Sequence, residues 1–279
     1  MPARYRLVDV FAREPLMGNA LAVFPDPGSV EPARMQAIAR EMNLSETTFV
    51  TGVSPDGYDV RIFTPTEEMP FAGHPTLGTA WVLRELGALA SDRVVQRSAA
   101  GETPVTFDGD AVWLERGGSP GEDLDDIADT LGSFDLSNEA VGFDAAAIGG
   151  PTALLRPAIA DAAVPMMMLP LASPDVVASL RAPATVAIKG GVYCFAPLGP
   201  GAIKARFFAP GLGVMEDPGT GMACAALGLY LGARTGELVV EVAQGAEIAR
   251  PSFISIHAAP GRARVGGTVR LAAEATLVG

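Results

Sequence analysis

Arg61-Ile62-Phe63-Thr64-Pro65 returns as Arg206-Phe207-Phe208-Ala209-Pro210, an offset of 145 residues (61 to 206), and each copy runs on through an acidic residue and a Pro/Gly-rich turn into an apolar helix. The acids matched in this reading are Glu68 and Asp217. The helices are residues 76–86, bounded by Pro75 and Gly87, and residues 221–234, bounded by Pro218 and Gly236. A proline ahead of the first turn and a glycine past the last are start and stop chemistry. Strand, turn and helix repeated at one long period read as two copies of a single unit.

Outward from the repeat, strand-type runs fall at residues 5–11, 20–24, 47–53, 58–63, 111–115, 185–189 and 192–197, separated by Gly/Pro turns. One more helix, residues 31–42, carries Pro32 in its first turn and Met35, Ile38, Ala39 and Met42 at helical spacing, so it should cover a sheet. Residues 117–135 are rich in Gly, Ser, Pro and acid, with Asp123, Asp125, Asp126 and Asp129 close together, which reads as a connection between domains. The expected domains are therefore residues 1–120 and 121–279, with ends free to exchange between them. The apolar stretch at residues 163–172 is broken by Pro165 and Pro170, falls short of the roughly 20 residues a membrane helix needs, and reads as core or a buried edge segment.

Composition narrows the function classes. At 279 residues, 49% hydrophobic and 19% charged, the chain buries a large core and is neither disordered nor stapled by disulfides. A formal net charge of −12 repels phosphate backbones and anionic headgroups, so nucleic acid and membrane are poor partners. Cys194 and Cys224 lie far apart, as do His74 and His257, and no metal-ligand spacing links them. The opening residues reach only a short apolar run broken by Asp9, too short for a secretion signal, so the expected location is cytoplasmic.

Chemistry concentrates at the two repeated turns. Residues 72–78 and 217–221 lead into helix N-termini, where unsatisfied N–H groups and the positive end of the dipole attract an anion. If the halves face each other, two such ends grip one carboxylate or developing enolate, an arrangement suited to proton transfer beside a carboxylate. The plainer reading is that each turn merely starts a helix. His74 sits between Gly73 and Pro75, an unusual place for a structural histidine. Glu46 interrupts the entry to a strand, where shielding would bring a carboxylate into general-base range; alternatively Ser45 caps and Glu46 faces water. Asp217 serves equally as a cap or as a chemical group.

Gly18-Asn19-Ala20-Leu21-Ala22-Val23, Leu44-Ser45-Glu46-Thr47, the Arg61 motif, Phe71-Ala72-Gly73-His74-Pro75-Thr76 and Glu216-Asp217-Pro218-Gly219-Thr220-Gly221 together resemble the PhzF family, the phenazine-biosynthesis-like proteins, in content, order and spacing. Gln244-Gly245 followed by Arg250-Pro251-Ser252 resembles the family's closing motif, so the match runs from about residue 5 to about residue 260. The resemblance implies an α+β chain of two similar domains of the diaminopimelate-epimerase-like fold, each a rolled, mostly antiparallel sheet around a central helix. The active site it implies lies in the cleft between them, with no metal and no organic cofactor. Carried over by position, the proton-transferring glutamate is Glu46, the cleft histidine His74 and the cleft aspartate Asp217. Asn19, Ser45, Gly73, Thr76, Gly219, Thr220, Gly221 and Met222 would bind a small carboxylate substrate.

Met222 departs from the serine that family members commonly carry, exchanging a hydroxyl for a thioether. Related racemases and epimerases offer a cysteine at each helix start; the matching places here are Ala72 and Pro218, which argues against a two-thiol racemase. Cys224, a turn inside the second helix, reads as core. The expected activity is a cofactor-independent isomerase in which Glu46 lifts a proton and either it or Asp217 returns the proton elsewhere, His74 and the helix starts holding the substrate's charge. The alternatives are a metabolite-binding or regulatory protein without turnover and a carboxylate-based racemase. Family members are usually homodimers, and a mean hydropathy of +0.29 points the same way.

Overall fold

The computed structural model describes residues 2–278 as two compact units. The first takes the chain through Glu115 and again from Gly266 onward; the second is Arg116–Val265. The first contains β1 (Ala3–Val10), β2 (Asn19–Phe24), α1 (Pro32–Met42), β3 (Glu46–Ser54), β4 (Gly57–Phe63), β5 (Glu68–Met69), α2 (Gly73–Glu85), β6 (Arg93–Ser98), β7 (Gly101–Asp108) and β8 (Ala111–Arg116). The second contains α3 (Ala128–Phe134), β9 (Phe143–Asp144), β10 (Leu154–Leu155), β11 (Ala158–Asp161), β12 (Pro165–Pro170), α4 (Pro174–Ser179), β13 (Val192–Gly199), β14 (Ala202–Ala209), β15 (Val214–Asp217), α5 (Gly221–Thr235), β16 (Leu238–Gln244) and β17 (Ser252–Ala259). The last strand, β18 (Arg262–Leu277), begins in the second unit and ends in the first.

In the first unit the strand order is β1-β2-β3-β4-β6-β7-β8-β18, and β1 pairs back onto β18 from Ala3↔Leu277 to Val10↔Val269, so the sheet closes and leaves no open edge. Two neighbours, β2–β3 and β4–β6, are parallel, and β1–β2, β3–β4, β6–β7 and β7–β8 are antiparallel. The second unit repeats this grammar. Its order is β17-β16-β14-β13-β12-β11, with β12–β13 and β14–β16 parallel and β11–β12, β13–β14 and β16–β17 antiparallel.

Each sheet wraps one apolar helix. Both α2 and α5 bury nearly their whole circumference, which is what an all-round apolar helix requires. Glycine sets how closely they approach. A Cβ on Gly78 would lie 2.7 Å from the Leu21 side chain, and one on Gly232 would lie 2.3 Å from the backbone oxygen of Ala259. Outside the first sheet, α1 and the strands share a cluster of Val30, Met35, Ile38, Phe49 and Phe63, with Phe24 and Phe49 stacked at 4.9 Å. Outside the second, α3 and α4 cover Phe134, Met167, Leu169, Val177 and Phe208.

Several expectations need correction. Residues 185–189 form no strand: both edges of β13 are taken, by β12 and β14, and Val186 and Ile188 instead pack as a loop on the outer cluster. The acidic run at residues 117–135 is not a loose connection. It bridges β11 through Ser119↔Asp161 and Asp123↔Ala158, forms α3, and has Asp123 and Asp125 neutralised by Arg234 at 2.6 Å and Arg156 at 3.0 Å.

The repeat itself is in better register than sequence matching suggested. Arg61 makes a two-pronged pair with Glu68 at 2.7 and 2.6 Å, and Arg206 makes the same pair with Glu216, not Asp217, at 2.8 and 2.7 Å. Each guanidinium also lies over a phenylalanine two residues on, Phe63 at 5.0 Å and Phe208 at 4.9 Å. Three extra residues ahead of β15 shift the offset from 145 (61 to 206) to 148 (68 to 216, and 73 to 221). With that shift the counterpart of Asp217 is Met69 and the counterpart of His74 is Met222.

Candidate active site

In the first unit β2 and β3 run parallel and start at the same end of the sheet, at Asn19 and Glu46. Side chains alternate along a strand, so Asn19 shares a face with Leu21, whose side chain lies against α2 at Gly78; the register Leu21↔Glu46 brings Glu46 to that end too. Helix α2 begins at Gly73, three residues earlier than the sequence suggests, after Ala72 in extended conformation. Pro75 is accommodated because a first-turn N–H has no intrahelical partner to lose. His74 thereby belongs to the helix and is buried, its side chain 5% exposed against 18% for Glu46.

Three side chains meet there. Nε2 of His74 lies 3.4 Å from Oε2 of Glu46, and Nδ2 of Asn19 lies 3.3 Å from Nδ1 of His74. By distance the histidine and glutamate resemble an ion pair, but burial pushes the imidazole down to about 3, so at neutral pH the ring is uncharged. The two atoms are buried in contact but form no hydrogen bond, so the ring gives Glu46 an uncharged neighbour rather than a positive charge. Ser45 is half-buried directly before β3. Thr76 is fully buried, and its hydroxyl donates to the Ala72 carbonyl at 2.8 Å while Tyr58 donates to the Thr76 carbonyl at 2.9 Å. The helix start therefore presents the N–H groups of Gly73 and His74.

In the second unit Asp217 ends β15 and is buried. The Thr220 hydroxyl donates to its Oδ2 at 2.5 Å, and Gln244 on β16 donates from Nε2 to the Asp217 carbonyl at 2.8 Å and to Thr220 Oγ1 at 3.0 Å. Gln244 Oε1 in turn accepts from the Tyr193 hydroxyl at 2.9 Å. Having given its proton to Gln244, Tyr193 accepts from the Cys224 thiol at 3.1 Å. Burial pushes that thiol up to about 12, so Cys224 is a core donor and no nucleophile. Gly219, Gly221 and Met222 are buried beside Thr220, and the N–H groups of residues 221 to 223 head α5.

The candidates thus gather in two clusters, Asn19–Glu46–His74 with Gly73, and Asp217–Thr220 with the start of α5. Sequence reading passed over Tyr193, which lies between apolar Val192 and Cys194 in a buried strand and shows no polar signal. Gln244 entered only as part of a terminal motif. Among the described residues no group of three or more His, Cys, Asp or Glu is placed to hold a metal, and no helix is long and apolar enough to cross a membrane.

Rolled sheets around a central apolar helix, duplicated in one chain, define the diaminopimelate-epimerase-like fold class of isomerases and epimerases. Within that class the chain belongs to the phenazine biosynthesis-like (PhzC-PhzF) family, whose model matches residues 8–278. It is 36% identical over 260 residues to a trans-2,3-dihydro-3-hydroxyanthranilate isomerase of Pseudomonas aeruginosa, covering 89% of this chain and 88% of that protein. Among solved structures, a PhzF-family protein of Bacillus anthracis matches with a TM-score of 0.84 at 22% identity, over 100% of this chain and 99% of that one. A predicted epimerase of Pseudomonas aeruginosa matches with a TM-score of 0.77 at 29% identity, over 99% of both. The chain is a PhzF-like isomerase.

Proposed function

We propose that this isomerase works without a cofactor and moves a proton on a small carboxylate-containing metabolite, with Glu46 as the base. The observation that carries the reading is the contact of the half-shielded Glu46 carboxylate with a buried, uncharged His74 at 3.4 Å. The uncharged ring shields the carboxylate from water without neutralising the group's basicity as a cation would. Asp217, or Glu46 itself, returns the proton at another carbon. The N–H groups heading α2 bind the substrate carboxylate or the negative charge that develops as the proton leaves, and those heading α5 offer an anion site of the same kind in the second unit. A carboxylate substrate is in keeping with the similarity to a trans-2,3-dihydro-3-hydroxyanthranilate isomerase. Met222 contributes its backbone N–H in this scheme, a role that does not depend on its side chain.

The test is to incubate the protein with trans-2,3-dihydro-3-hydroxyanthranilate and a panel of small unsaturated acids in D₂O and follow them by proton NMR. Conversion or deuterium entry that disappears in Glu46→Gln supports the reading. Tight binding with no exchange in any acid would make the protein a metabolite-binding protein instead. We further propose a cytoplasmic homodimer; light scattering that finds a monomer at micromolar concentration would overturn the dimer.

A further inference from the structure

Asn19 and His74 are both buried, and the amide nitrogen of one lies 3.3 Å from Nδ1 of the other. An amide nitrogen only donates, so Nδ1 must present a lone pair and the single proton of the neutral ring sits on Nε2. On the far side of the ring Nε2 lies 3.4 Å from a carboxylate oxygen, and although the two form no hydrogen bond, an N–H is the better neighbour for that oxygen than a second lone pair. Turning the amide over would place its carbonyl against Nδ1 and draw the proton there. That would leave a bare Nε2 lone pair against Glu46.

From this geometry we infer that Asn19 is a positioning residue that holds His74 as the neutral Nε2–H tautomer and bars it from taking a second proton. A proton arriving at Nδ1 would meet the N–H of Asn19 head-on. The strong downward displacement of the imidazole by burial acts in the same direction. The consequence for chemistry rests on the proposed function. A proton leaves a substrate carbon for the Glu46 carboxylate, the C–H electron pair passes into the substrate's adjoining π system, and the carboxyl proton is returned at a second carbon. His74 gains and loses none throughout, so the proton has no relay out of Glu46 through the ring. Asn19 thus keeps the transfer internal to the substrate instead of serving as a substrate contact.

Long-range proton–nitrogen NMR of protein labelled at histidine nitrogens reads the tautomer without any substrate. The chain has two histidines, and a His257→Gln variant assigns the spectrum. The expected result at neutral pH is a His74 signal of the neutral Nε2–H form. In Asn19→Asp, whose carboxylate accepts, the proton moves to Nδ1 or both nitrogens become protonated; in Asn19→Leu the tautomers mix. A wild-type His74 in the Nδ1–H or imidazolium form overturns the inference, and so does a tautomer unchanged in Asn19→Asp. If the variants fail to fold, the wild-type spectrum alone decides. With an acid that turns over, Asn19→Asp should raise solvent deuterium in the product several-fold per turnover, and equal incorporation would overturn the proton-holding role. A panel in which no acid turns over refutes the proposed reaction, while the tautomer is still decided by the spectrum.

Discussion

Nε2 of His74 and a carboxylate oxygen of Glu46 lie 3.4 Å apart but not as two ions, because burial removes the charge from the ring. The ring therefore takes up no proton in the neutral range.

Glu46→Gln keeps the shape and the hydrogen-bonding reach of the side chain and removes its proton affinity. Turnover should fall by about 10² to 10⁴, the usual worth of a general base, while the unfolding transition stays where it was. Equal rates by NMR in the two proteins would take Glu46 out of the mechanism.

Acid should unfold the protein partly through His74. Its value is about 3 when folded against 6.5 as a free side chain, so between those limits the unfolded chain binds the extra proton. Stability is therefore fully present above pH 6.5 and is lost as pH falls toward 3, at about 1.4 kcal/mol per unit. Urea titrations at pH 7 and pH 4.5 should show the wild type losing up to about 3 kcal/mol more than His74→Gln, which has nothing to protonate. No rate limb from His74 should appear between pH 5 and 8.

The duplicated ion pairs should differ in worth. Glu68 and Arg61 are 38% and 35% exposed, whereas Glu216 and Arg206 are 8% and 6% exposed, and Arg206 also donates to the Leu180 carbonyl at 2.6 Å, beyond the end of α4. Glu68→Gln should cost no more than about 1 kcal/mol, and Glu216→Gln, which strands a buried guanidinium, about 3 to 5 kcal/mol. Denaturant midpoints measured side by side check the contrast; equal losses would mean that burial does not separate the two copies.

Gln244 ties Asp217, Thr220 and Tyr193 together. Gln244→Leu fills the space and satisfies none of them, so it should cost at least about 2 kcal/mol at roughly 1 to 3 kcal/mol per orphaned buried group. Tyr193→Phe, which removes a single hydroxyl, should cost less. Calorimetry on the two variants decides the order.

Local chemistry determined much of this protein from the sequence alone. The Arg-x-Phe-x-Pro repeat, the Pro and Gly that bracket two apolar helices, and the strand runs between them stand in the fold because each depends on neighbours along the chain. What depended on partners far away in sequence did not show. Residues 185–189 have strand composition but no free edge to join, and Glu216 rather than Asp217 completes the second ion pair because the register pairs Asp217 with Phe207 and so turns its side chain to the face opposite Arg206. The sequence also named Glu46, His74 and Asn19 without relating them. Only the parallel register of β2 and β3 beside the start of α2 brings an amide and a carboxylate to opposite sides of one ring, across 55 and 28 residues of chain (19 to 74 and 46 to 74), and the burial that this packing imposes takes the ring's charge away.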